Sequence, residues 1–189
     1  MNLPIGLTLS RIVLVPLLIV FLISSSRVNV LIAAAIFLLA AVTDWLDGAI
    51  ARRRNQVTTL GAMLDPVADK LLVAAALVSL LQINRVAAWM VVVIIGRELA
   101  VSGLRAVAAT VGVIVPASRL AKGKTVGQYV AITMLIVEKG IESAPFHAVA
   151  TGVLWVAVVL TVVSGADYFY RFFRKADYRA IVPDEERWS

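Results

Sequence analysis

The sequence predicts an all-α integral membrane protein with six transmembrane helices, and three observations carry that expectation. The 189-residue chain is 61% hydrophobic with a mean hydropathy of +0.92, far from a soluble globular composition. Its apolar residues fall into six stretches, each near the roughly 20 residues that a spanning helix needs. Between them lie short separators rich in Gly, Pro, Ser and charge.

The first stretch, Leu7 to Ile23, begins close to the first residue and has no basic leader or small-residue cleavage pattern. It reads as a retained helix, not a signal peptide, with Asn2-Leu3-Pro4 as a short N-terminal interfacial segment. After Ser24-Ser25-Ser26 the second stretch runs from Val28 to Ala51. Arg52 to Thr59 then leads into the third, Leu60 to Leu81, and Gln82 to Arg85 into the fourth, Val86 to Val111. Gly112 to Gly123 precedes the fifth, Thr125 to Val137 with some extension, and Glu138 to Pro145 precedes the sixth, Phe146 to Tyr170. The tail from Arg171 to Ser189, basic and then acidic at Asp184-Glu185-Glu186, reads as a solvated end. With no repeat, low-complexity linker or second composition, residues 1–189 read as a single domain.

Charge sets the expected orientation. With the N-terminus inside, eleven basic residues lie in inner segments: Arg52, Arg53, Arg54, Arg119, Lys122, Lys124, Arg171, Arg174, Lys175, Arg179 and Arg187. Three, Arg27, Arg85 and Lys139, lie in outer loops. The bias places both termini on the cytoplasmic side of a multi-pass protein. A net charge of +6 suits anionic lipid and phosphate better than nucleic acid, because no soluble basic domain carries it. The absence of cysteine excludes a disulfide framework or a thiolate metal site.

Against this apolar background one stretch stands out: Asp44-x-x-Asp47-Gly48-x-x-Ala51-Arg52, eight residues, then Gly61-x-x-x-Asp65-x-x-x-Asp69. A carboxylate at membrane depth is costly unless it pairs, binds a metal or lines a wet cavity. Helical spacing puts Asp44 and Asp47 on one face and Asp65 and Asp69 on another. Two such pairs make an all-oxygen pocket for Mg²⁺ or Mn²⁺, and four carboxylates suit two ions about 3.5–4 Å apart. Gly48 would let a ligand approach the backbone, and Arg52 could grip a phosphate. The plainer alternative is that the aspartates cap helices or pair with arginines, with Asp65 as N-cap before Pro66. It explains one or two of the four.

Four further basic residues, Arg11, Lys70, Arg97 and Arg105, fall within the spans and each needs an anion or a route to the surface. Arg97 and Glu98 could neutralise one another. Arg97 and Arg105, eight apart, share a face, and Lys122 and Lys124 open the fifth helix, whose amides also attract anions. Together Arg97, Arg105, Lys122 and Lys124 describe a second, metal-free anion pocket. His147 and the four tryptophans read as interfacial or packing residues.

The aspartate pattern, present without a substitution, resembles the signature of the CDP-alcohol phosphatidyltransferases. The segment Pro4-x-x-x-Thr8-x-x-Arg11 extends the likeness, although Ile5 stands where that family often carries an Asn. The stretches Gly96-Arg97-Glu98-Leu99, Ser102-Gly103-Leu104-Arg105 and Lys122-Gly123-Lys124-Thr125 resemble the branch that makes phosphatidylglycerol phosphate. The resemblance implies Asp44, Asp47, Asp65 and Asp69 as metal ligands and Asp69 as the base that takes the acceptor's proton. It implies Gly48, Arg52 and Thr58 as CDP contacts, and Arg97, Arg105, Lys122 and Lys124 as holders of the phosphate of sn-glycerol 3-phosphate. CDP-diacylglycerol as donor, a homodimer and a cytoplasm-facing site in a bacterial inner membrane follow from the same likeness. Other acceptors, inositol phosphate, serine or phosphatidylglycerol, stay open at this point. So does a divalent-cation transporter, which would spread its acidic residues along a path through several helices.

Overall fold

Six apolar stretches fold as six α-helices: α1 Leu3–Ile23, α2 Arg27–Arg54, α3 Thr59–Gln82, α4 Ala88–Thr110, α5 Arg119–Ile141 and α6 Ala144–Lys175. The computed structural model describes the backbone of residues 3–54, 59–110 and 119–175, and the side chains of residues 10–43, 66–110 and 123–174. Among the described residues there is no strand.

Local chemistry explains the turns at one end of the bundle. Ser24 Oγ accepts from the amide of Ser26 at 3.2 Å and from Asn29 Nδ2 at 2.9 Å, organising the entry to α2. At the end of α3, Asn84 takes the left-handed conformation with φ 57°. The amide of Arg85 then donates to the Leu80 carbonyl at 2.9 Å and that of Asn84 to Leu81 at 3.0 Å, a Schellman closure. The end of α5 closes through the simpler left-handed motif, with Glu142 at φ 55° donating to the Glu138 carbonyl at 2.7 Å.

Three sequence expectations shift. Leu3 and Pro4 are already in α1, so the expected interfacial segment is, from Leu3 on, the helix's own first turn, where proline costs no hydrogen bond. α3 starts at Thr59, which makes Asp65 and Pro66 interior and removes the reading of Asp65 as a cap. α5 starts at Arg119 and ends at Ile141, so Lys122 and Lys124 lie inside it and Glu138, expected in a loop, is helical. The helix-forming Arg119, Leu120 and Ala121 outweigh Gly123 there.

α1 packs against α2 and α3, α2 against α5, α5 against α6, and α4 against α6 and α3. Leu18, Leu22, Phe37, Leu72, Leu77, Leu80, Ile94, Ile132, Leu135, Ile136 and Leu154 fill one continuous core. Outside it, Val20, Leu39, Val92, Val126 and Val156 face outward, the surface that a hydrocarbon solvent favours and water does not. Among the described residues one helix, Ala144–Arg174, is by itself long and apolar enough to cross a membrane, with shorter apolar stretches at Ser10–Ile23 and Arg27–Thr43. Arg97, Glu98 and Arg105 in α4, and Lys124, Glu138 and Lys139 in α5, dilute the apolar character of those helices. These are the residues that carry the polar chemistry.

The turns after α1, α3 and α5 meet at one end of the bundle, where Arg85 and His147 reach Glu138 and Lys139 reaches Leu22 and Ser24. The end of α2, the start of α3, the end of α4, the start of α5 and the end of α6 therefore point to the other.

Candidate active site

Asp44, Asp47, Gly48 and Arg52 fall on the last three turns of α2, and Asp65 on the second turn of α3. Their side chains lie outside the described residues, as do Thr58 and the side chain of Lys122. The described site residues are Asp69, Arg97, Arg105 and Lys124; Arg97 and Lys124 meet on Glu98, Asp69 acts electrostatically on Lys124, and Arg105 lies against Tyr168.

Asp69, one turn beyond Asp65 on α3, accepts a hydrogen bond at Oδ1 from the hydroxyl of Tyr129 on α5. The tyrosine ring lies 5.5 Å from that of Phe37 on α2, tilted by 44°. Phe37 is fully buried. One side chain thus touches all three helices α2, α3 and α5.

Deeper toward α4 and α6 lies the cationic group. Lys124, only 2% exposed, donates to Glu98 Oε1, and Arg97 Nη1 donates to the same oxygen at 3.0 Å. Arg97 Nη2 reaches Ser164 Oγ on α6 at 3.0 Å. The stem of Arg97 crosses α6 at Gly165, where a Cβ would stand 3.0 Å from Arg97 Cγ and 3.4 Å from Nε. Glycine is what allows that crossing. Arg105, two turns along α4, lies over the ring of Tyr168 with its guanidinium carbon 5.7 Å from the centroid, within cation–π range. Below these groups, Gln128 Nε2 donates to Thr161 Oγ1 at 3.1 Å, joining α5 to α6.

The electrostatics follow from the pairing. The buried Lys124 and the half-buried Arg97 share one carboxylate, so Arg97, Lys124 and Arg105 less Glu98 leave two positive charges. Asp69 stands within electrostatic reach of Lys124. A site with carboxylate oxygens on one side and surplus positive charge on the other can hold a polyanion and deprotonate a hydroxyl beside it.

The donor chemistry fits a hard divalent cation. Asp69 offers oxygen, the chain has no cysteine, and the single histidine, His147, sits at the opposite end with Nδ1 3.3 Å from Glu138 Oε2. Among the described residues no three His, Cys, Asp or Glu side chains gather as a metal site, Asp44, Asp47 and Asp65 being outside them.

Sequence reasoning singled out neither Tyr129, Ser164, Gly165 nor Tyr168. Tyr129 carried one signal, a polar tip on the same helix as Lys124. The Ser164-Gly165 pair looked like any small-residue contact between helices.

A family model described as CDP-alcohol phosphatidyltransferase matches residues 1–163. The CDP-diacylglycerol–glycerol-3-phosphate 3-phosphatidyltransferase of Bacillus subtilis is 45% identical, over 89% of this chain and 93% of that protein. The protein of the same name in Rickettsia bellii is 42% identical, with the same coverage. A probable phosphatidylglycerophosphate synthase of Mycobacterium tuberculosis is 40% identical, over 89% of this chain and 80% of its own length.

Proposed function

Since the chain belongs to the CDP-alcohol phosphatidyltransferase family, we infer that it transfers the phosphatidyl group of CDP-diacylglycerol to sn-glycerol 3-phosphate, giving phosphatidylglycerol phosphate and CMP. The observation that carries the reading is the breadth of the likeness: relatives 45% and 42% identical over 89% of the chain bear the name of that transfer.

Asp44, Asp47, Asp65 and Asp69 would hold the divalent cation, Mg²⁺ or Mn²⁺ and in the fullest form two ions. A bound cation supplies charge neutralisation for the diphosphate and for the departing CMP. Gly48, Arg52 and Thr58 contact the CDP moiety. Asp69 takes the proton of the acceptor hydroxyl as its oxygen bonds to the β-phosphorus and the bond from that phosphorus to the CMP oxygen breaks. CMP leaves with the electron pair, and the proton passes from Asp69 to solvent.

Arg97, Arg105, Lys122 and Lys124 hold the acceptor phosphate. The surplus of two positive charges among the described groups supports a phosphomonoester, whose dianion they balance. An uncharged alcohol or a zwitterion would leave that surplus unmatched. The six apolar stretches support six spans and the basic bias of the inner segments supports termini and site facing the cytoplasm, in what we read as a bacterial inner membrane. A homodimer, built from one domain per chain, completes the reading.

CMP release by the purified protein in detergent, with CDP-diacylglycerol and Mg²⁺, tests it. Release that requires glycerol 3-phosphate and stops with EDTA is the expected result. Release driven by inositol phosphate, serine or phosphatidylglycerol overturns the acceptor. Absence of release, together with metal flux into proteoliposomes, would make the protein a cation transporter.

A further inference from the structure

We propose that Tyr129 is a positioning residue for the transfer: its hydroxyl fixes the rotation of the Asp69 carboxylate and so aims the second oxygen at the acceptor. The proposal rests on the reading of Asp69 as base and metal ligand given above. Its observation is the hydrogen bond from the Tyr129 hydroxyl to Asp69 Oδ1, between residues 60 positions apart in sequence.

A tyrosine that served packing alone would need only its ring. The ring is already held, 5.5 Å from the buried ring of Phe37, and phenylalanine would keep that contact. The hydroxyl donates to a carboxylate, which makes the bond charge-assisted and directional. An aspartate has one torsion that turns its two oxygens about the Cβ–Cγ bond, and that torsion is broad and soft. Binding Oδ1 removes the freedom that would otherwise blur the base's aim, and a misaimed base costs rate steeply.

The location gives the hydroxyl further reach. Phe37 lies seven residues, or two turns, before Asp44 on α2, and Asp69 ends the second half of the motif on α3. Tyr129 therefore ties together the two helices that carry the aspartates. It also lies five residues from Lys124 on α5, about 7.5 Å along the axis at 1.5 Å per residue. The same helix thus presents the phosphate-binding ammonium and the group that aims the base.

Tyr129→Phe removes one oxygen and leaves the ring. The measurements are kcat, KM for each substrate, thermal stability and Mn²⁺ affinity by electron paramagnetic resonance, all in detergent beside the wild type. The expected result is a kcat lower by about tenfold or more, the size of a lost bond to a charged group. KM for glycerol 3-phosphate and CDP-diacylglycerol stays within about threefold, and Mn²⁺ binds several-fold more weakly because a ligand has lost its support. Phe37→Leu, which loosens the ring and keeps the hydroxyl, gives a smaller loss of the same kind. A kcat within about twofold of wild type overturns the proposal. So does a kcat loss with an unchanged Mn²⁺ titration, which would make the tyrosine a structural residue. Should the wild type release no CMP with glycerol 3-phosphate, the functional reading fails, and the Mn²⁺ titrations of wild type and Y129F still decide whether Tyr129 supports Asp69.

Discussion

The Arg97 side chain crosses α6 directly over Gly165, with the site of a missing Cβ 3.0 Å from Arg97 Cγ. Arg97 is thereby pinned between α4 and α6, with one guanidinium nitrogen on Glu98 and another on Ser164, each at 3.0 Å.

Gly165→Ala should displace Arg97, because a contact of that length requires the stem to give way. In a helix interior alanine is favoured over glycine by about 1 kcal/mol, so the fold should hold. Steady-state kinetics should show KM for glycerol 3-phosphate raised several-fold with KM for CDP-diacylglycerol unchanged. An unaltered KM for the acceptor would remove Arg97 from the phosphate pocket.

Glu98 is the shared anion of Arg97 and Lys124. Glu98→Gln leaves two cations facing one another, with Lys124 nearly inaccessible to solvent. Breaking such a buried arrangement costs about 3–5 kcal/mol, and the variant should melt well below wild type. Glycerol 3-phosphate should restore part of the loss, since its phosphate replaces the missing charge. Thermal melts with and without the acceptor check this, and equal shifts in wild type and variant would argue against a shared phosphate pocket.

Much of this was legible in the chain. Apolar length marked six helices, and the short polar breaks located their ends to within a few residues at α2 and α3. It misjudged α5, because Gly112, Pro116 and Gly123 read as one loop while the charged residues between the last two are good helix formers. Glu138 was read as a breaker for the same reason: charge next to glycine and proline looks like a surface turn. The aspartates and cations were visible because charge in an apolar background is conspicuous. One pairing was visible too, that of Arg97 with its neighbour Glu98; the pairings across helices were not. The bonds from Tyr129 to Asp69 and from Arg97 to Ser164 join residues 60 and 67 positions apart. They depend on helix rotation and register, which local pattern does not encode.

Far from the site, Glu138 is 1% exposed and accepts from Arg85 Nη1 at 3.1 Å. Beside it, Lys139 donates to the carbonyls of Leu22 and Ser24 at 2.6 and 2.8 Å. With His147 Nδ1 of α6 3.3 Å from Glu138 Oε2, these contacts bind the ends of α1, α3, α5 and the start of α6. Lys124 and Glu138 are fourteen residues, about 21 Å, apart along α5. Glu138→Gln should therefore lower stability by roughly 1–3 kcal/mol while leaving kcat per folded molecule near wild type. A matching fall in kcat at a temperature where the variant is folded would show that the two ends are coupled.

Asp69→Asn separates the charge of this residue from its shape. Asparagine can still accept the Tyr129 hydroxyl at its amide oxygen, so the link between α3 and α5 survives. What disappears is the basic oxygen and one negative charge. Turnover should fall below detection while CDP-diacylglycerol still binds in part, measured by equilibrium binding of the labelled liponucleotide. A variant that kept near-normal turnover would show that another group takes the acceptor's proton. It would also leave the Tyr129 bond as a purely structural tie between the helices.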